Sequence, residues 1–121
     1  MTIDFEIIEL PSMPNAMGKA SFWYGQAERK KWRKIIALHK LGKPYEARIA
    51  MPVQNSKLTL VRCSSREPDL DNLYASFKFV IDALKFNGVI ADDKPSVCKM
   101  ECRWEKAKQK SGMIRVKVES A

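Results

Sequence analysis

Long apolar runs are missing from this chain of 121 residues. No stretch comes near the roughly 18 apolar residues of a membrane-spanning helix, so no span is expected. Cysteine is scarce and odd in number: Cys63, Cys98 and Cys102. The N-terminal segment MTIDFEIIEL carries acids where a signal peptide carries bases, so secretion is not expected. Free thiols in a reducing, cytoplasmic setting follow from these two observations. A zinc site needs further Cys or His beside Cys98 and Cys102, and the chain has a single histidine, His39. Repeats, low-complexity tracts and linkers are also lacking, so residues 1–121 read as one domain. Acids are outnumbered, 14 against 22 Lys and Arg, leaving a net charge of +8 and a pI near 9.5. An excess of that size on a small domain points to a polyanionic partner, most often nucleic acid. With 45% hydrophobic and 30% charged residues, disordered and fibrous classes are excluded.

Residues 2–10 hold β-formers (Ile3, Phe5, Ile7, Ile8) and read as a first strand. Pro11, Pro14, Asn15 and Gly18 then break regular structure. From Gln26 to Leu41 the pattern is helical, with Trp32, Ile35, Ile36 and His39 on one face and Gly42 and Pro44 as the stop. His39 falls among the core positions. The triplet Phe22-Trp23-Tyr24 precedes this helix and is assigned to the core or an interface rather than to base stacking. Residues 57–63 read as a strand. A helix follows, capped by Asp69 or Asp71, running to Phe86 and ended by Gly88 in a left-handed conformation. Its apolar stripe is Leu73, Phe77, Val80, Ile81 and Leu84. Residues 97–104 and 114–119 alternate and, with Lys110-Ser111-Gly112 between them, predict a closing antiparallel β-hairpin. The order is β-α-β-α-β-β, an α/β (α+β) fold with a small mixed sheet and helices packed on one face.

In so basic a chain the grouped acids stand out. Glu67, Asp69 and Asp71 open the second helix, and Asp92 and Asp93 follow its end. Carboxylates brought together repel unless one is protonated or a cation compensates them. Hard oxygen ligands suit Mg²⁺ or Mn²⁺, which complete their shell with water and phosphate oxygens. If the helix is continuous, Lys78 lies on the face of Asp71 two turns along, shared with Asp82 and Lys85. An ammonium there, with a divalent cation, offsets the charge that gathers on a phosphorane. The plainer alternatives are that Asp69 and Asp71 are helix caps, that Asp92-Asp93 is a solvated turn, and that Lys78 simply pairs with Asp71 or Asp82.

The first helix concentrates Arg29, Lys30, Lys31, Arg33 and Lys34 around Trp32. So many cations cannot all face a core, which leaves solvent or phosphate. Arg62, Arg66, Lys94, Lys106, Lys108 and Lys110 extend the basic surface around the acids.

The run Arg66-Glu67-Pro68-Asp69-Leu70-Asp71-Asn72-Leu73, then Lys78, Asp82-Ala83-Leu84, Gly88 and Asp92-Asp93, resembles the RusA-like Holliday junction resolvases (crossover junction endodeoxyribonucleases), a family often carried by phages and prophages. The resemblance implies a small α/β homodimer that hydrolyses phosphodiesters at four-way DNA junctions in recombination and repair, using Mg²⁺ or Mn²⁺. It implies no organic cofactor and no membrane partner. Carried over by residue, Asp69, Asp71 and Asp93 are the metal-binding carboxylates, Asp92 the less favoured member of its pair, and Lys78 the catalytic lysine. One departure concerns Lys78. Between D-N-L and D-A-L this chain is longer than the family's shortest form by about three residues, nearly one helical turn. Two rivals remain at this level: a non-catalytic basic DNA-binding phage accessory protein, and a flap or single-strand nuclease with the same site.

Overall fold

A computed structural model describes residues 1–13, 21–108 and 112–120, with backbone alone at 21–24. The elements are β1 (Thr2–Ile7), α1 (Ser21–Leu41), α2 (Tyr45–Ile49), β2 (Ser56–Ser64), α3 (Leu70–Ser76), α4 (Lys78–Phe86), β3 (Cys98–Lys106) and β4 (Met113–Ser120). They form a mixed four-stranded sheet in the order β1-β4-β2-β3. Pro14, Asn15 and Gly18 lie outside the described residues, as do Lys110 and Ser111. The Phe22-Trp23-Tyr24 triplet falls in the first turn of α1, its side chains outside the described set.

Strand alternation sorts the sheet's two faces. Ile3, Phe5 and Ile7 point inward with Ile114, Val116 and Val118, and Leu58 and Leu60 join Cys98 and Cys102 beside them. Trp32 and Ile36 of α1, Leu73 of α3 and Phe79, Val80 and Leu84 of α4 close the same core, so the helices cover one face. His39 is half-buried there, its Nδ1 at 2.9 Å from Ile35 O and its ring edge-on to Phe5. The outer face is charged and covers itself. Arg115 pairs with Glu105 across β2, and such long side chains lie over Val61 and Cys63, keeping them buried without a second layer.

The closing hairpin is not formed. β4 runs antiparallel to both β1 and β2, lying between them, while β3 pairs parallel with β2 at the sheet's edge. Alternation dictates which face a strand buries, not which neighbour it takes. The burial of β2 on both faces makes it a central strand, and the exposed Lys99, Arg103, Glu105 and Lys106 suit β3 to an edge.

The second predicted helix is two helices. Phe77 departs from helical geometry (φ −87°, ψ 1°) and sits fully buried between α3 and α4. Ser76 Oγ donates to Leu73 O at 2.7 Å, and the Phe77 N–H turns to Tyr74 O at 3.2 Å. Such back-bonding by a serine bends a helix, and the core anchors Phe77 at the bend. The far end follows expectation. Gly88 is left-handed (φ 66°), its N–H bonds to Lys85 O and that of Val89 to Leu84 O, a Schellman closure. Among the described residues no helix is long and apolar enough to cross a membrane.

Candidate functional site

Asp69 is the N-cap residue of α3 by backbone geometry (φ −61°, ψ 153°), yet its side chain makes no capping hydrogen bond. The carboxylate stays exposed at the mouth of a cleft of about 440 Å³, lined also by Arg62, Ser64, Arg66, Glu67 and Asn72. Asp71, in the first turn of α3, is exposed too and among the described residues accepts only from the neighbouring Asn72 N–H, at 3.0 Å. Neither acid is consumed by an ion pair among the described residues, so both keep oxygens available at one helix start. Asn72, from the same motif, turns toward the cleft.

Asp92 and Asp93 lie elsewhere. The Lys85 ammonium holds both, at 3.2 Å from Asp92 Oδ1 and 3.6 Å from Asp93 Oδ1. The Asp93 N–H donates to Asp92 Oδ1 at 2.8 Å, and this bond leads the causes that hold the Asp92 carboxyl below the usual range. The same contacts raise the Lys85 ammonium, the hydrogen bond to Asp92 first. Lys85 joins this group because it lies in the last turn of α4, ahead of the Asp92-Asp93 turn; helical spacing alone puts it on the face shared by Asp71, Lys78 and Asp82.

Topology separates the two acidic groups. β2 and β3 run parallel, Ser56 opposite Cys98 at one end and Ser64 opposite Lys106 at the other. Asp69 follows Ser64, whereas Asp93 comes just before Cys98, whose N–H bonds to Lys94 O at 2.8 Å. The nine residues of β2 span about 26 Å at roughly 3.3 Å per step. Accordingly, among the described residues no three acids, histidines or cysteines are disposed to share one metal ion. The expected convergence does not occur within one chain.

Lys78 opens α4 just past the bend, exposed, with its Nζ 5.9 Å from the Phe79 ring centre and no carboxylate partner among the described residues. The break at Phe77 removes the continuous phase that linked Lys78 to Asp71. Its phase to Asp82, one turn along within α4, is intact.

The basic helix divides into two sets. Arg33 Nε donates to Asp82 Oδ2 at 3.0 Å and its guanidinium stacks 4.0 Å from the Phe86 ring centre. Arg29 Nε stands 3.9 Å from the same carboxylate. Lys31 reaches Glu9 at 2.7 Å. These three fasten α1 to its surroundings. Lys30 and Lys34 are exposed with no acid partner among the described residues, as are Arg66 and Lys94. Lys106 and Lys108 are exposed as well. Arg62, grouped with the surface cations by sequence, is buried. The signal was present: it shares the inward parity of Leu58 and Leu60. Cys98 and Cys102 are buried in the core, and burial pushes the Cys102 thiol up to about 12.

Comparison with known proteins decides the class. The family model described as endodeoxyribonuclease RusA matches residues 22–119. The chain belongs to the RusA endodeoxyribonuclease family. The match spans α1 through β4 and so takes in both acidic groups, Lys78 and the basic helix of this RusA-like endonuclease. A search of curated proteins found no match. The resemblance read from Asp69-Leu70-Asp71-Asn72-Leu73, Lys78 and Asp92-Asp93 is thus confirmed at the level of the family.

Proposed function

We propose that the protein is a divalent-metal-dependent endonuclease that resolves four-way DNA junctions as a homodimer, in recombination and repair. The observation that carries this reading is the pair of uncommitted carboxylates, Asp69 and Asp71, at one end of a chain of the RusA family. Two exposed carboxylates suit Mg²⁺ or Mn²⁺, which ordinarily take one or two from a protein. Such an ion, when bound, polarises the phosphate and lowers the barrier to attack by water.

The chain's own residues do the rest. Asp69 and Asp71 would hold the cation, and Lys78 either offsets the charge of the transition state or protonates the leaving 3′ oxygen. Water oxygen forms the new bond to phosphorus as the bond to the 3′ oxygen breaks. Lys30, Lys34, Arg66 and Lys94 contact phosphates without reading bases. Since one chain holds Asp93 at the other end of β2, we assign Asp93, and Asp92 beside it, to the site of a second copy. A two-fold dimer then carries two composite sites, matching a junction that needs paired cuts.

Complementation tests this arrangement. Asp69→Asn and Asp93→Asn are each expected to bind junction DNA and not cut it. Mixed and re-equilibrated, they form heterodimers with one intact site, restoring nicking to about a quarter of the wild-type site count. No recovery places all the acids in one chain's site. Full activity of either single variant removes that residue from the chemistry. Binding that ignores chelators, with no scission of junction, flap or duplex in Mg²⁺, identifies a non-catalytic DNA-binding protein instead.

A further inference from the structure

Arg62 occupies an inward position of β2 and is only 7% exposed. A guanidinium this deep ordinarily lies against a carboxylate, because removal from water is costly and an opposite charge returns most of it. Here no acid does so among the described residues; burial alone acts on the group, lowering its pKa. Among the described residues its one hydrogen bond is from Nη1 to Pro11 O at 2.7 Å. Guanidinium has five N–H donors, so most of its fork is unspent. Arg62 also lines the cleft of about 440 Å³ whose rim carries Asp69 and Asn72. The result is a cation lining an open cleft that the uncommitted Asp69 carboxylate also lines, with no counter-ion among the described residues.

The chemistry that completes such a group is a bidentate oxyanion. We propose that Arg62 is a substrate-contacting residue, binding the non-bridging oxygens of a backbone phosphate in the strand that passes Asp69. The inference rests on reading the Asp69–Asp71 end as the DNA-cutting site, and it adds to that site a cation held by the core. Unlike Lys30 or Lys34 on α1, Arg62 cannot follow the DNA as it moves. It therefore fixes where one phosphate sits, and its loss affects position as well as attraction.

The test compares Arg62→Gln, which retains a donor for the Pro11 carbonyl but removes the charge, with Arg62→Lys, which retains the charge but not the fork. Affinity for a four-way junction is measured in EDTA across a salt series, with thermal unfolding confirming the fold of each variant. In Arg62→Gln the slope of log affinity against log salt falls by about 0.9, one phosphate's share, and affinity drops about tenfold. In Arg62→Lys the slope is kept while affinity falls several-fold. A folded Gln variant with wild-type slope and affinity overturns the proposal and leaves Arg62 as a clasp for the Pro11 segment. If that variant does not fold, wild-type affinity in Arg62→Lys overturns it. Failure of the wild-type protein to cut in Mg²⁺ sinks the nuclease reading alone, because these measurements use no metal.

Discussion

The Asp82 carboxylate receives two hydrogen bonds from Arg33, at 3.0 Å and 3.5 Å, across 49 residues of sequence. This pair, with Arg33 stacked on Phe86, sets α1 alongside α4. Lys40 continues the line, donating to Asn87 O at 2.6 Å, so the two helices run in the same direction. Asp82→Asn is expected to lower stability by about 0.5–1 kcal/mol, the range for a partly exposed pair. It also frees Arg29 and Arg33, so junction affinity should rise. Denaturant unfolding and a binding titration on the same variant check both signs.

Lys30 and Lys34 are the exposed cations of α1 without acid partners among the described residues. Replacing both with Ala should reduce the salt slope of DNA binding by up to about 1.8 while leaving the unfolding midpoint nearly unchanged. Replacing Arg33 should do the reverse, disturbing the fold more than the slope. Salt-dependent anisotropy separates the two sets.

Asp71→Asn is expected to abolish cleavage yet leave junction binding intact or tighter, since it removes negative charge from a surface that meets phosphate. Normal cutting by this variant in Mg²⁺ removes Asp71 from the site.

The reading of Asp69 shows what sequence conveys and where it stops. Its place before Leu70 marks a helix start, and the backbone obeys. Whether the side chain caps that helix depends on a rotamer that no spacing encodes. Phe77 is a similar case: the apolar stripe through it is real, but the Ser76 hydroxyl that redirects the ladder gives no periodic signal. The β3–β4 hairpin expected from alternation does not form, because alternation is indifferent to neighbours. Separation of the acids followed from a fact visible only in the sheet, namely that β2 and β3 are parallel. By contrast Gly88 was legible, since a glycine after a helical stripe serves one conformational need.

Gly88→Ala should therefore destabilise the protein by roughly 1–2 kcal/mol, the cost of a Cβ in left-handed backbone. Space is not the obstacle: the nearest atom to an added Cβ is the flexible end of Lys40, at 3.7 Å. Gly88→Asn should be milder, because Asn tolerates that conformation. Chemical denaturation of both variants gives the comparison.

All three cysteines are buried, and the Cys102 thiol, raised to about 12 by burial, stays protonated through any neutral or mildly alkaline assay. Native protein at pH 8 should react with an aromatic disulfide reagent only slowly, and denatured protein should show three thiols at once. Rapid labelling of Cys102 in the native state contradicts its burial.

The place of β4 has a consequence for biosynthesis. Among the described strands β1 is bonded along its length to β4 alone, so residues 2–7 have no strand to join until residues 114–119 have been translated. β1 emerges from the ribosome as an orphan, and its Ile3, Phe5 and Ile7 must wait in water, or with a chaperone, until β4 follows. Stalled or shortened chains that lack β4 should accordingly be recognised as unfolded and degraded, however well α1 and β2 have formed.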